Sequence, residues 1–543
     1  MTSLALDSPA AVAEEASLSA LLRCCVREIS GPRGQVRHED PYVLLRVAGT
    51  LLRVRAHGGI ALRFEGRPEW LENDSWQPLS ADLLVRLVET ELGADNDEFA
   101  AQVTASRDVM AALIAARQEV PPPADPWLAS EQALVFGHPF HPSPKARGGE
   151  GWLRYAPEAH ASFPLRLLGV RDDVLAEAGD TGSLDELGQA PPGYSLLPAH
   201  PWQLELLAAD LAAPLADGRL IDLGDSARMA IPTSSVRTVY EPLVDRCLKF
   251  SLDVRITNCL RKNSWYELAG AVELSRRLEP VFLDLEAAFP GTRWLPEPGY
   301  RSAELGTRLL EGLGVIVRVS PWSVCRPGVT PLLSGALAAG RQVPRAAPDD
   351  VPDMADPVPG GAPAVGGRPV ADPVRWWRAY VERVAPPVLD AYVNHGVVLE
   401  PHLQNVLVGV DAEGMPVEAV FRDMEGTKLV AGRHDLSGLP GRVAEALTYD
   451  AASGWNRVVY CLMVNHLAEI AASLAGTGST RELWAVAGEV LTEYAASRGW
   501  PRPLSDLLSG APLPAKANLS VRWARSADRS AGYVTVANPL AMA

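Results

Sequence analysis

Two stretches of the chain carry the residue types that metal-assisted phosphate chemistry needs. Leu399-Glu400-Pro401-His402-Leu403-Gln404-Asn405 ends on an asparagine, and Phe421-Arg422-Asp423-Met424-Glu425-Gly426 brings a carboxylate 18 positions after Asn405. That separation suits two short strands and a turn. Carboxylate and amide oxygens are hard ligands that fit Mg²⁺ on nucleotide phosphates. The plain structural alternative is a hairpin that ends in an exposed Asp.

Further polar clusters lie upstream. Gly137-His138-Pro139-Phe140-His141-Pro142-Ser143-Pro144-Lys145-Ala146-Arg147-Gly148-Gly149 packs two histidines, a lysine and an arginine into a proline-stiffened loop. His138 and His141 lack a third metal ligand nearby, so the loop reads better as an anion clamp, with Lys145 and Arg147 neutralising carboxylate or phosphate. In Pro198-Ala199-His200-Pro201-Trp202-Gln203, Trp202 reads as a core anchor and His200 as a backbone partner. Ser234-Ser235-Val236-Arg237-Thr238 and Leu248-Lys249-Phe250-Ser251-Leu252 together supply hydroxyls, an Arg and a Lys for a polyphosphate. An unpaired Lys249 charge among apolar residues would be costly. In Arg255-Ile256-Thr257-Asn258-Cys259-Leu260-Arg261-Lys262, a helix would put Thr257 and Arg261 on one face, suited to one carboxylate. Only five of 50 basic residues are lysine (Lys145, Lys249, Lys262, Lys428, Lys516), which adds weight to each as a place where a compact point charge is needed.

These clusters must be positioned by a chain of 543 residues, 47% hydrophobic and 21% charged, enough for two or three domains with large cores. Helical apolar spacing covers Ala11–Ile29, short strands are expected at Tyr42–Val47, Leu51–Val54 and Ile60–Phe64, and one or two helices at Leu79–Gln118. Pro121-Pro122-Pro123 marks a boundary. Positions 341–373 are rich in Pro, Gly and Asp and read as a linker or long surface loop. A helix at Val374–His395, a hairpin (Val406–Val410, Val417–Arg422) and a mainly helical remainder follow. Net charge is −16, against general nucleic-acid or anionic-membrane binding. Six scattered cysteines without a CxxC pair argue against a disulfide scaffold or an iron–sulfur site. No uninterrupted apolar run approaches the ~20 residues of a membrane span, and acidic residues precede the first basic one, Arg23, unlike a secretory signal. The expected location is cytoplasmic.

GHPFHPSPKARGG, PAHPWQ, SSVRT with LKFSL, ITNCLR, EPHLQNVL and RDMEGTKL occur in this order over roughly 300 residues. This combination resembles the IucA/IucC family of siderophore synthetases that work without a carrier template. The resemblance implies an α+β, multi-domain cupped-hand fold of thumb, fingers and palm, the palm carrying a kinase-like metal and nucleotide hairpin. Mapped onto this chain it implies a thumb at 1–123, fingers at 124–340, the linker or loop at 341–373 and a palm at 374–543. It also implies an ATP- and Mg²⁺-dependent ligase that adenylates a carboxylic acid, citrate above all, and condenses it with an amine, hydroxylamine or alcohol. By motif, Ser235, Arg237, Thr238, Lys249, His402, Gln404, Asn405 and Asp423 would bind ATP, and Glu400, Asn405 and Asp423 the metal. His138, His141, Lys145, Arg147, Thr257, Arg261 and Lys516 would surround the acid, with His402, Arg261 and Lys249 acting in catalysis. Arg522 would join Lys516 as a basic pair, and a homodimer is implied. The family's C-terminal region is related to ferric-reductase-like proteins with a cysteine cluster; here only Cys461 follows position 325, so iron–sulfur reduction is not expected.

The competing reading is a kinase-like phosphotransferase acting on a small anionic substrate, because Asn and a later Asp also hold Mg²⁺ in protein kinases. It is disfavoured because no Gly-rich phosphate loop precedes Lys249 and the Glu400–Asn405 loop has no catalytic Asp.

Overall fold

The helix expected near the start forms at Pro9–Cys24, where Ser8 caps it by accepting a hydrogen bond from Ala11 N at 3.2 Å. It runs on as a π-helical turn, Cys25–Ser30. With helices Ala81–Leu92 and Asp97–Glu119 it packs against a five-stranded antiparallel meander, Val36–Glu39, Tyr42–Val47, Thr50–His57, Arg63–Glu72 and Ser75–Pro78. Leu18, Leu21, Leu45, Leu52, Leu84 and Phe99 close this core. The expected strand at Ile60–Phe64 is displaced. Gly58 and Gly59 take φ of 77° and 61°, Gly59–Ala61 forms a 3₁₀ turn, and the strand begins only at Arg63. The computed structural model describes residues 8–147, 151–256, 259–339, 364–365, 368–526 and 532–542, with backbone alone at 255–256, 259–261, 364–365 and 368–369.

The second layer is an eight-stranded antiparallel sheet. Its order is Leu175–Gly179, Gly299–Ala303, Val315–Val319, Arg246–Phe250, Thr238–Glu241, Leu220–Pro232, Phe163–Arg171, Tyr194–Ala199. Period-two alternation sends Leu248 and Phe250 into a core with Leu165, Leu197 and Val317, and leaves Lys249 on the other face. The described residues on either side of 257–258 are strand and not the expected helix: Leu252–Ile256 and Cys259–Arg261 pair antiparallel, with Leu252 opposite Arg261. Thr257 lies outside the described residues, and Lys262 pairs with Glu311 at 2.7 Å.

The third core surrounds helix Pro373–Val393, whose Trp377, Tyr380, Val384 and Leu389 are fully buried. The anticipated hairpin forms as Val406–Val410 and Pro416–Phe421, inside a four-stranded sheet with Thr292–Trp294 and Thr330–Leu333. Most of the expected linker at 341–373 lies outside the described residues. One helical run, Ala451–Ala475, is long and apolar enough to match a membrane span, which the sequence reading did not anticipate. In the fold 83% of its apolar window is buried, and its middle turn, Tyr460–Leu467, is a π-helix.

Candidate active site

The three cores enclose a cavity of about 710 Å³. Among the described side chains, every site residue anticipated from sequence lines it except Arg522; Thr257 and the Arg261 side chain lie outside the description. For Arg261 the backbone alone is described, as the last residue of strand Cys259–Arg261.

At one end stands Lys249, 2% exposed. Its strand places Thr238 opposite it on one side and Ile316 on the other, so Arg318, two residues on, shares its face. Lys249 Nζ donates to Asp423 Oδ1 at 2.7 Å, pairs with Glu425 and lies 3.8 Å from Glu297 Oε1. Arg318 donates to Asp423 Oδ1 and Glu297 Oε1, both at 2.9 Å, and Arg237 lies 3.6 Å from Glu425 Oε2. Three cations thus face three carboxylates in a buried, charge-balanced network. Burial opposes the charge on Lys249, but Asp423, Glu297 and Glu425 outweigh it and raise its pKa. Burial likewise opposes Asp423, yet Lys249 and Arg318 hold its carboxyl well below the usual range.

Beside this network is a place that suits Mg²⁺. A Cβ built on Gly426 would lie 3.3 Å from Asp423 Oδ2 and 3.5 Å from Glu400 Oε2, so the glycine keeps open the space between the two carboxylates. Asn405 lines the same cavity at 7% exposure, and among the described residues its side-chain nitrogen has no hydrogen-bond partner. Among the described residues no three His, Cys, Asp or Glu side chains form a ready-made cage. That donor set still fits Mg²⁺, which commonly takes one or two protein carboxylates and fills its shell with water and phosphate.

The histidines share one device. His138 Nδ1 accepts from Phe140 N at 3.0 Å, His141 Nδ1 from Ser143 N at 3.1 Å, and His402 Nδ1 from Gln404 N at 3.2 Å. An accepting Nδ1 puts the proton on Nε2, so each neutral ring is a donor at Nε2. Burial, with neighbouring cations, holds His138 down to about 3, and burial holds His402 down to about 4. From Nε2 such a ring can donate to an anion; His138 Nε2 lies 3.4 Å from the Tyr460 hydroxyl, and His138 and His402 are poor bases. His200 uses the same contact, accepting from Trp202 N at 3.2 Å, but sits 1% exposed in the core beside Trp202. It is structural, as its motif suggested.

The anion clamp is more committed than its sequence implied. Lys145 pairs with Glu158, and Arg147 NH2 donates to both Glu158 oxygens at 2.7 and 2.8 Å. Burial opposes the Glu158 charge, but Arg147 and Lys145 hold its pKa down to about 2. Two cations sharing one carboxylate leave one positive charge over. Lys516 reaches the cavity from strand Leu513–Lys516, whereas Arg522 does not line it. Arg522 instead pairs with Gln102 and lies 3.6 Å from Glu98 of helix Asp97–Glu119.

Sequence reasoning missed Arg318, Glu297, Glu158 and the pair Glu131–Arg422. Arg422 donates to Glu131 Oε2 at 3.0 Å, to Ser234 Oγ at 3.0 Å and to Gln404 O at 2.7 Å; Glu131 accepts from Ser234 N at 3.1 Å. Burial opposes the Glu131 charge and Arg422 restores it, lowering its pKa. Together they fasten the Ser234–Thr238 turn to the His402–Asn405 loop. Arg422 stood next to Asp423 in a quoted motif, but Glu131 sits in an unmarked helix and carried no signal.

Residues 126–339 match the family model described as IucA / IucC family, and residues 374–531 one described as ferric iron reductase FhuF-like transporter. The chain is 29% identical over 455 residues to the rhizobactin siderophore biosynthesis protein RhbC of Rhizobium meliloti (strain 1021), covering 76% of this chain and 75% of that protein. It is 29% identical over 451 residues to L-2,3-diaminopropanoate–citrate ligase of Staphylococcus aureus (strain NCTC 8325 / PS 47), covering 77% and 75%. The fold superposes with TM-score 0.80 on the ATP-bound aerobactin synthetase IucA of a hypervirulent Klebsiella pneumoniae pathotype, at 24% identity over 97% of this chain and 99% of that one. Within the FhuF-like region the lone Cys461 is 1% exposed, and burial pushes its thiol up to about 12, so it is inert.

Proposed function

We propose that this chain, whose residues 126–339 match the IucA/IucC family model, is an ATP- and Mg²⁺-dependent ligase of that family that adenylates citrate and joins it to an amine in siderophore biosynthesis. The observation that carries this reading is the Gly426 cradle, where Asp423 and Glu400 converge beside buried Lys249 in one cavity with the His138 and His402 donors.

The chemistry joins two anions. A citrate carboxylate oxygen attacks the α-phosphorus, the bond to the β-phosphate oxygen breaks, and pyrophosphate leaves with the electron pair. An amine nitrogen then attacks the acyl carbon, the bond to the phosphate oxygen breaks, and AMP leaves. Asp423, Glu400 and Asn405 would hold Mg²⁺, which would supply charge neutralisation on the phosphates. Lys249 and Arg237 stand charged for phosphate oxygens, and Ser235 and Thr238 offer hydroxyls. His402 and His138 donate from Nε2 to citrate carboxylates, while Lys516 and the surplus charge of Lys145 and Arg147 offset the remaining anions. Holding both reactants in one cavity removes much of the entropic barrier, in principle ~7–11 kcal/mol. A cytoplasmic site, where ATP is supplied, goes with this reading.

The test is product analysis with ATP, Mg²⁺, hydroxylamine and a panel of citrate, α-ketoglutarate, succinate, malate or no acid. AMP and pyrophosphate formed with citrate support the proposal. ADP formed instead means a phosphotransferase.

A further inference from the structure

The end of the cavity remote from Lys249 is built from parts not used above. Helix Pro9–Cys24 lines it with Ser19 and Arg23, four residues apart and so on one face, while Ala16 and Ala20 leave room beside them. Across from them stand Asn465, Glu469 and Arg63. Arg23 and Arg63 are held by Leu62 O, Ala338 O and Glu469, whereas Lys249 is held by Asp423, Glu425 and Glu297. The two groups are separate clusters of the same lining, and the one around Arg23 forms a compartment of its own.

In that compartment one oxygen of Glu469, Oε2, is already taken. Arg63 NH2 meets its Oε2 at 3.0 Å and donates to Ala338 O at 2.8 Å. Arg23 is not. Its Nε donates to Leu62 O at 2.7 Å and its guanidinium lies 5.1 Å from the Phe64 ring centroid, which leaves both terminal nitrogens without a hydrogen bond or ion pair among the described residues. Burial, reinforced by Arg63 and Arg27 against Glu469, pulls its pKa down to about 10. A partly buried guanidinium with an open fork is a bidentate carboxylate site.

The reading above already gives nucleotide and citrate their cations in Lys249, Arg237, Lys516 and the Lys145–Arg147 pair, so the anion that Arg23 would take belongs to the remaining co-substrate. We propose that the amine carries its own carboxylate, an amino acid as opposed to a plain polyamine, and that Arg23 binds that carboxylate; this rests on the ligase reading above. Glu15, exposed at the cavity mouth on the same helix face, offers an acidic group to the incoming ammonium.

Calorimetric titration of the full chain tests this with matched pairs: 2,3-diaminopropanoate against ethylenediamine, ornithine against putrescine, serine against ethanolamine. The wild type should bind at least one amino acid ten or more times tighter than its decarboxylated counterpart. Arg23→Met should erase that preference, and Arg23→Lys, which keeps the charge without the fork, should retain part of it. Citrate affinity should fall less than twofold in either variant. Four results would overturn the proposal: no amino acid bound by the wild type, counterparts bound equally well, a preference that survives Arg23→Met, or a loss of citrate affinity as large as that for the amino acid. The titrations need neither ATP nor turnover, so failure of the ligase reading would appear separately, in the AMP and pyrophosphate assay.

Discussion

Asp423 adopts φ 71° and ψ 58°, the left-handed region that Asp and Asn tolerate better than other side chains. This turn brings one carboxylate oxygen to Lys249 and Arg318 and the other toward Glu400. Asp423→Asn keeps the backbone preference and removes the charge. Acid-dependent pyrophosphate release should fall by roughly 10²-fold or more, with the far-UV circular dichroism unchanged; near-normal turnover at saturating Mg²⁺ would remove Asp423 from the metal site. The histidines make a second prediction. Burial holds His200 down to about 3 and His466 down to about 4. Below about pH 6.5 the unfolded chain takes up protons that the folded chain refuses, so their contribution is complete above that pH and shrinks as pH falls. Each group should remove about 1.4 kcal/mol per pH unit between pH 6 and 5, read from urea unfolding. Because His138 and His402 stay neutral as well, the rate profile should show no imidazole titration near pH 6.5. These residue types and motifs were legible in the sequence. Their tautomers were not, since Nδ1 meets a backbone N–H only once the loops are folded.

At the scale of elements, short connections place the chemistry. The Glu400–Asn405 loop is anchored from behind by His466, whose Nδ1 contacts Pro401 O at 2.7 Å from the π-helical turn. Gly426→Ala adds a methyl between Asp423 Oδ2 and Glu400 Oε2 at a position with an ordinary φ. The fold should persist while the Mg²⁺ concentration for half-maximal activity rises about tenfold, equivalent to ~1.4 kcal/mol; an unchanged Mg²⁺ curve would show that the cradle is not the metal site. The Glu131–Arg422 strut gives the contrasting case. Glu131→Gln leaves a buried guanidinium without its counter-charge and should cost about 3–5 kcal/mol in urea unfolding, as removal of one partner of a buried pair does. The hairpin Val406–Phe421 and the helices Pro9–Cys24, Ala81–Leu92, Asp97–Glu119 and Pro373–Val393 could be read from apolar periodicity, whereas helix Trp265–Ala288 was not. The segment 255–262 could not, because an eight-residue stretch of mixed apolar and polar residues satisfies a helix and paired strands equally, and the pairing of Leu252–Ile256 with Cys259–Arg261 decided between them.

The whole molecule is needed to make the cavity. Its walls come from the first helix through Arg23, the eight-stranded sheet through Lys249 and Arg318, the hairpin sheet through Asp423, the helix Ala451–Ala475 through Asn465, and a late strand through Lys516. Sequence order could list these residues but could not show that positions 23 and 469, or 145 and 158, share one space. That long-range closure also explains why the Arg23 compartment carried no motif. At this scale the central claim is that these walls bring citrate to the α-phosphate of ATP. Exchange of labelled pyrophosphate into ATP, with Mg²⁺ and without any amine, tests it most directly. The account predicts exchange that depends on citrate, because a reversible adenylate forms before the amine is needed. Exchange that is absent with citrate while ADP accumulates would contradict it.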